Sequence, residues 1–205
     1  VEKFRATFGD DFLVMANVNW NHDKKTSKSL NGVFLELWKD KSDRLYTLNE
    51  LKKIEKILIF YEQNLRFPKL IALEGWRKTL SLTQKDRMSD ENVRMAKLLT
   101  AMSVVVPSHG YILYSDNNRD DQRHDHYHSL YDFYSFDIGK PTGPRVKVSN
   151  GVSYKQHQEG FIAYNITSRA KSFEIKDLNR TVSIEPKSGL FCKDGGEAFD
   201  CLIVD

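Results

Sequence analysis

The sequence predicts an α/β protein in two parts: βα units of a TIM-type (β/α) barrel over residues 1–144, then a small antiparallel β domain over 145–205. Four apolar runs within the first 116 residues end in polar or acidic residues, often beside a tryptophan: 12–20, 32–38, 70–76 and 111–116. A strand buried on both faces reads as a continuous apolar stretch, and parallel strands under helices are the usual place for one. Helix-length connections separate the runs, as parallel crossovers require. After residues 139–144 the composition shifts to short β-rich runs with turn signals.

Each element has a local reason. Residues 1–9 read as the tail of a helix, with Phe4 and Phe8 one turn apart and Gly9 as its stop. The first strand spans 12–19, and a polar loop over 21–29 leads to a second at 32–36, where Gly32 allows close approach of the chain. Thr47-Leu-Asn-Glu50 is a capping box, and Leu51, Ile54, Leu58, Tyr61 and Leu65 repeat at helical spacing, so a helix spans about 47–66 and Pro68 closes it. The third strand is 70–73, and 81–90 is a charged connection. Ser89 starts a helix with Val93, Ala96, Leu99 and Met102 on one face, stopped before Pro107, and the fourth strand is 111–114. Runs at 160–165, 171–176, 181–185, 189–192 and 199–204 alternate apolar with polar, which predicts antiparallel strands with one wet face.

Length and charge exclude several classes. At 205 residues and 23.8 kDa one domain plus a small second one is the natural count. The net charge of +3 is spread along the chain and forms no basic block, so nucleic acid is not an expected partner. No run approaches the roughly 18 apolar residues of a membrane-spanning helix. The first residue is Val1, as in a mature product or a fragment. Cys192 and Cys201 flank Gly195-Gly196, which can turn a hairpin between them; they are either a disulfide, suited to a secreted or periplasmic setting, or two half-buried thiols. Asn165 and Asn179 open glycosylation sequons that matter only in a eukaryotic secretory setting.

The acids at the strand ends are the candidate chemistry. In a (β/α) barrel the C-terminal strand ends carry the active site, and Glu36, Glu74 and Asp116 fall there in successive units. Glycosidic cleavage commonly uses two carboxyl groups, one protonated to assist the departing oxygen and one ionised. Any one of these acids could instead cap a helix or pair with Arg77 or Arg119. Trp20, Trp38 and Trp76 lie one or two residues past strand ends and offer flat faces to sugar rings, although tryptophan is often core material. Asn17 and Asn19 can hydrogen-bond sugar hydroxyls or satisfy loop backbone. These residues together predict a carbohydrate substrate. His124, His126 and His128, with Asp120, Asp121 and Asp125, suggest metal ligands, but a polar stretch separates them from the strand end, so a solvated or substrate-lining loop is the default and no metal is assigned. No Walker sequence, Gly-x-Gly-x-x-Gly or Gly-x-Ser-x-Gly occurs, and no cofactor is expected.

Residues 31–36, Asn-Gly-Val-Phe-Leu-Glu, resemble the strand-end glutamate motif of the TIM-barrel glycosyl hydrolases related to the endo-α-1,4-polygalactosaminidases. Residues 136–143 followed by 159–165 resemble the end of such a barrel, where a Gly-x-Pro linker enters a small β domain. The resemblance implies that the four strands are the fifth to eighth of the barrel, the C-terminal half, with Glu36 on the sixth as general acid or base. It also implies a partner aspartate on an earlier strand, to which no residue here corresponds; Asp10 and Asp11 would sit at the opposite, N-terminal face. Four units alone leave exposed edges and a bare interior, so the N-terminal half of the barrel, or another chain, is the expected partner. The expectation is therefore a glycoside-hydrolase-like protein acting on a polysaccharide, the alternative a non-catalytic carbohydrate-binding or structural module on the same fold.

Overall fold

The computed structural model describes residues 1–38, 45–76, 88–115 and 128–202. It is an α/β protein with a four-stranded parallel sheet and helices, followed by an antiparallel β unit. In chain order the first part holds α1 (Glu2–Phe8), β1 (Met15–Asn17), β2 (Gly32–Glu36), α2 (Leu48–Asn64), β3 (Leu70–Trp76), α3 (Asp90–Val105) and β4 (Gly110–Ser115). The second part holds β5 (Val146–Ser149), β6 (Val152–His157), β7 (Gly160–Asn165), β8 (Lys171–Ile175), β9 (Arg180–Ile184), β10 (Ser188–Asp194) and β11 (Phe199–Cys201). Among the described residues no helix is long and apolar enough to cross a membrane.

The strands β1 to β4 lie side by side in sequence order, all parallel, and among the described residues they form an open sheet and no closed barrel. Register sorts their side chains into two faces. Val33, Leu35, Ile71 and Leu73 form one core with Leu51 and Leu58 of α2 and Leu99 and Met102 of α3, so the helices cover that face. The other face carries, in rows across the sheet, Met15–Gly32–Leu70, then Asn17–Phe34–Ala72–Tyr111, then Glu36–Glu74. Met15, Leu70 and Tyr111 are each more than two-fifths exposed on it. Gly32 is required in the first row, because a Cβ there would lie 2.6 Å from Met15 Cγ and 2.9 Å from the Leu70 carbonyl.

The first strand is shorter than its apolar run predicts. Phe12 and Leu13 are exposed outside it, and Phe12 joins Phe4 and Phe8 in a ring cluster with centroids 4.5–5.6 Å apart. Arg5 ties that segment down by donating to the carbonyls of Asp10, Phe12 and Ser29 and to Asn31 Oδ1. Helix α2 begins at its capping box: Glu50 N–H donates to Thr47 Oγ1 at 3.3 Å and Thr47 N–H to Glu50 Oε2 at 2.6 Å.

Helix α3 departs from the expectation of a single buried face. It is buried nearly all round, because a second layer covers its other side. That layer is the five-stranded sheet β11-β10-β7-β6-β5, whose Ile162, Tyr164 and Phe191 join the α3 core. A Cβ on Gly189 of β10 would meet Lys97 O of α3 at 2.4 Å. The buried Lys155 of β6 donates to Val104 O at 2.8 Å and Pro107 O at 2.5 Å, capping the end of α3.

The expected single wet face is present on β8 and β9, where Ser172, Glu174, Thr181 and Ser183 are exposed, but not on β7. All of β7 is buried: Ile162 and Tyr164 point to α3, while Phe161 and Ala163 join a second core with Phe173, Ile175, Val182 and Ile184 of the β8–β9 hairpin. Cys192 and Cys201 are partners across β10 and β11 and form a disulfide. The sequon residue Asn165 is fully buried, its amide donating to the carbonyls of Arg169, Ile184 and Glu185.

Candidate active site

The C-terminal ends of β1, β2 and β3 bring Asn17, Glu36 and Glu74 to one face of the sheet. Glu36 and Glu74 are partners in the β2–β3 register. Asn17 lies one row earlier, opposite Phe34, and reaches forward so that its Nδ2 donates to Glu36 Oε2 at 2.9 Å. The chain just beyond sets this orientation. Asn19 adopts a left-handed φ of 47°, which asparagine tolerates, and its N–H donates to Asn17 Oδ1 at 3.2 Å. With its carbonyl oxygen held by the turn, the Asn17 amide turns its donor to the carboxylate.

Glu36 is half-buried and Glu74 is 0 % exposed. His128 Nε2 stands 3.9 Å from Glu74 Oε1, and His128 Nδ1 is 3.0 Å from the Tyr114 carbonyl, so Nδ1 carries the proton of that hydrogen bond. Thus one carboxyl opens to solvent and the next strand's is enclosed.

Tyr46 holds the two strand ends at a fixed spacing. Its hydroxyl donates to Leu37 O at 2.9 Å and accepts from Trp76 N–H at 2.7 Å, joining the residue after Glu36 to one two positions after Glu74. Burial pushes this hydroxyl well above the usual tyrosine range. Sequence reading missed Tyr46, although its position immediately before the capping box is where a packing residue is expected.

The three tryptophans divide. Trp38 is 50 % exposed, whereas Trp76 is 4 % exposed and forms part of the interior rather than an open platform. Trp20 lies between, its Nε1 donating to Trp38 O at 3.0 Å and its ring 5.9 Å from that of Tyr46. The ammonium of Lys53 sits 5.3 Å over the Trp20 ring. Asn19 is exposed beside them. Asp116, and the histidine segment as far as Tyr127, lie outside the described residues.

The arrangement offers an oriented carboxylate, an enclosed carboxyl on the neighbouring strand and an indole surface at one rim. No protein family matches the chain, and no curated protein does.

Proposed function

We propose that this chain is a glycoside-hydrolase-like protein acting on a polysaccharide, with Glu36 as general acid/base, on the C-terminal half of a (β/α)8 barrel followed by its β domain. The observation that carries the reading is the row Glu36–Glu74 at the C-terminal ends of neighbouring parallel strands, with Asn17 bonded to Glu36. The sheet face bearing Met15, Leu70 and Tyr111 supports it, since in a closed barrel such a face is the packed interior. The remaining βα units, from the same protein or from another chain, would cover that face and supply the partner carboxylate. Neighbouring strands lie about 4.8 Å apart, so Glu74 is close enough to shape the cleft or to substitute for that partner. Trp20, Trp38 and Asn19 would line the sugar path, with Trp76 behind it.

A second reading, a non-catalytic carbohydrate-binding module, is favoured by the complete enclosure of Glu74, which leaves Glu36 as the solvent-facing member of the row. One substitution separates the two. Glu36→Gln removes the transferable proton while keeping shape and polarity, so a hydrolase should lose release of reducing ends and keep its retention on a polysaccharide gel. If the wild-type chain is retained equally well but releases no reducing ends, the binding-module reading replaces the hydrolase.

A further inference from the structure

The loop leaving β1 and the exposed face of α2 bring cations together beside the Trp20 platform. Lys53 lies over the Trp20 ring, and His22, whose ring packs 5.2 Å from Phe60, has Lys53, Lys24 and Lys56 as its charged neighbours. Partial desolvation, and after it the charges of Lys53, Lys24 and Lys56, hold the imidazole below its ordinary range, so His22 is a neutral hydrogen-bonding group among three ammonium ions. All four side chains are exposed. Lys53, Lys56 and Phe60 fall at i, i+3 and i+7 on one face of α2.

The nearby acids make their direct contacts with other groups. Asp23 accepts from the backbone N–H groups of Lys25 and Thr26 and from the Thr26 hydroxyl. Glu50 is the capping-box carboxylate of Thr47. Glu55 accepts from Tyr164 Oη at 2.5 Å and from Arg145 at 3.3 Å. Among the described residues no carboxylate forms an ion pair with Lys24, Lys53 or Lys56. Ammonium groups with no carboxylate in ion-pair contact are open to an added anion, and their proximity to an indole favours a ligand with both a flat apolar face and a negative group.

We infer that Lys53, Lys56, Lys24 and His22 form a subsite for an anionic sugar residue, a uronate or sulfated sugar, stacked at Trp20 on the rim that carries Asn17 and Glu36. The inference rests on the carbohydrate reading above and narrows it from polysaccharides in general to acidic ones. Lysine heads as point charges suit a carboxylate or sulfate presented in several orientations along a chain. The cluster occupies one side of the rim, so an acidic chain would be drawn with one residue on Trp20 and the next toward Glu36.

The test is affinity electrophoresis of the 205-residue chain through gels carrying polygalacturonate, chondroitin sulfate or neutral dextran, with polyuridylate as a nucleic-acid comparison. Retardation by at least one of the two acidic glycans, weakened by salt and absent in dextran, is expected. The double variant Lys53→Gln/Lys56→Gln should weaken it by roughly tenfold or more in Kd. Lys147→Gln/Lys176→Gln, which removes the same charge from exposed sites in the antiparallel unit, should leave it unchanged. Equal losses in the two double variants, retardation in dextran alone, or tighter binding of polyuridylate than of either glycan would each overturn the subsite. The hydrolase reading fails separately. Lysine-dependent retention without release of reducing ends keeps the subsite and sinks the hydrolase, while cleavage of a neutral glycan indifferent to the lysines does the reverse.

Discussion

Asn17 donates its Nδ2 to Glu36 Oε2 at 2.9 Å across neighbouring parallel strands, while its own Oδ1 is held by the Asn19 N–H. Two short contacts thereby aim one carboxylate from the end of a strand of only three residues.

Asn17→Ala removes the aiming donor without touching the helix-covered core. Turnover of a cleaved polysaccharide should fall roughly 10- to 100-fold in kcat with little change in KM, the loss expected when a reacting group is misplaced. Asn17→Asp places a second carboxylate against Glu36 and should be at least as damaging, with relief at low pH where one of the pair is protonated. Steady-state kinetics over pH reads both outcomes.

Tyr46→Phe tests the tie between the strand ends. The variant keeps the ring but strands a buried acceptor at Leu37 O and a buried donor at Trp76 N, costing about 2–3 kcal/mol. Urea unfolding should report that loss with an unchanged slope. A cost below about 0.5 kcal/mol would show that other groups replace the hydroxyl.

Gly189→Ala probes the contact between β10 and α3. The added methyl would lie 2.4 Å from Lys97 O and 2.9 Å from Ala101 Cβ, so strand and helix must separate, at about 1–3 kcal/mol. Gly143→Ala is the matched control, because no atom lies within 4 Å of its added Cβ and its cost should be near zero. Unfolding midpoints of the two variants give the difference directly.

Stability should vary with pH in three windows. Burial holds His157 below its ordinary 6.5, so just below that pH the unfolded chain binds more protons and stability falls as the pH drops. Burial also lowers Lys97 and Lys155 to about 8, so between about 8 and 10.5 the unfolded chain again binds more protons and stability rises with pH. Tyr46 and Tyr164 are pushed up by burial, so above 10 the unfolded chain loses protons first and stability falls. Urea midpoints from pH 5 to 11 should show these trends. His157→Gln should flatten the acidic one and Lys155→Met should reduce the rise above pH 8.

Much of the parallel sheet was legible in the sequence because its strands are buried by nearby helices. The run 32–36 and the capping box at Thr47 name β2 and the start of α2 almost to the residue. The short β1 was not legible, since Phe12 and Leu13 look like strand residues but belong to the exposed aromatic cluster with α1. The double burial of β7 was equally hidden: what covers Phe161 is a hairpin later in the chain, and what covers Ile162 is a helix some 60 residues earlier. Local alternation carries no record of either. At the rim, Glu36, Glu74 and Asn17 follow from strand-end position alone. Tyr46 and the difference between Trp38 and Trp76 do not, because they depend on how the chain after each strand folds back.

Helix α3 serves as a common wall for both sheets, and this leaves the molecule without a clean line of cleavage. A truncation after residue 144 would strip Ile162, Tyr164 and Phe191 from that wall and bare an apolar flank on the helix beneath Glu74's strand. Proteolysis in the β10–β11 region would accordingly loosen the carboxylate rim as well, so that integrity of the C-terminal strands becomes a condition for any chemistry performed at the far end of the fold.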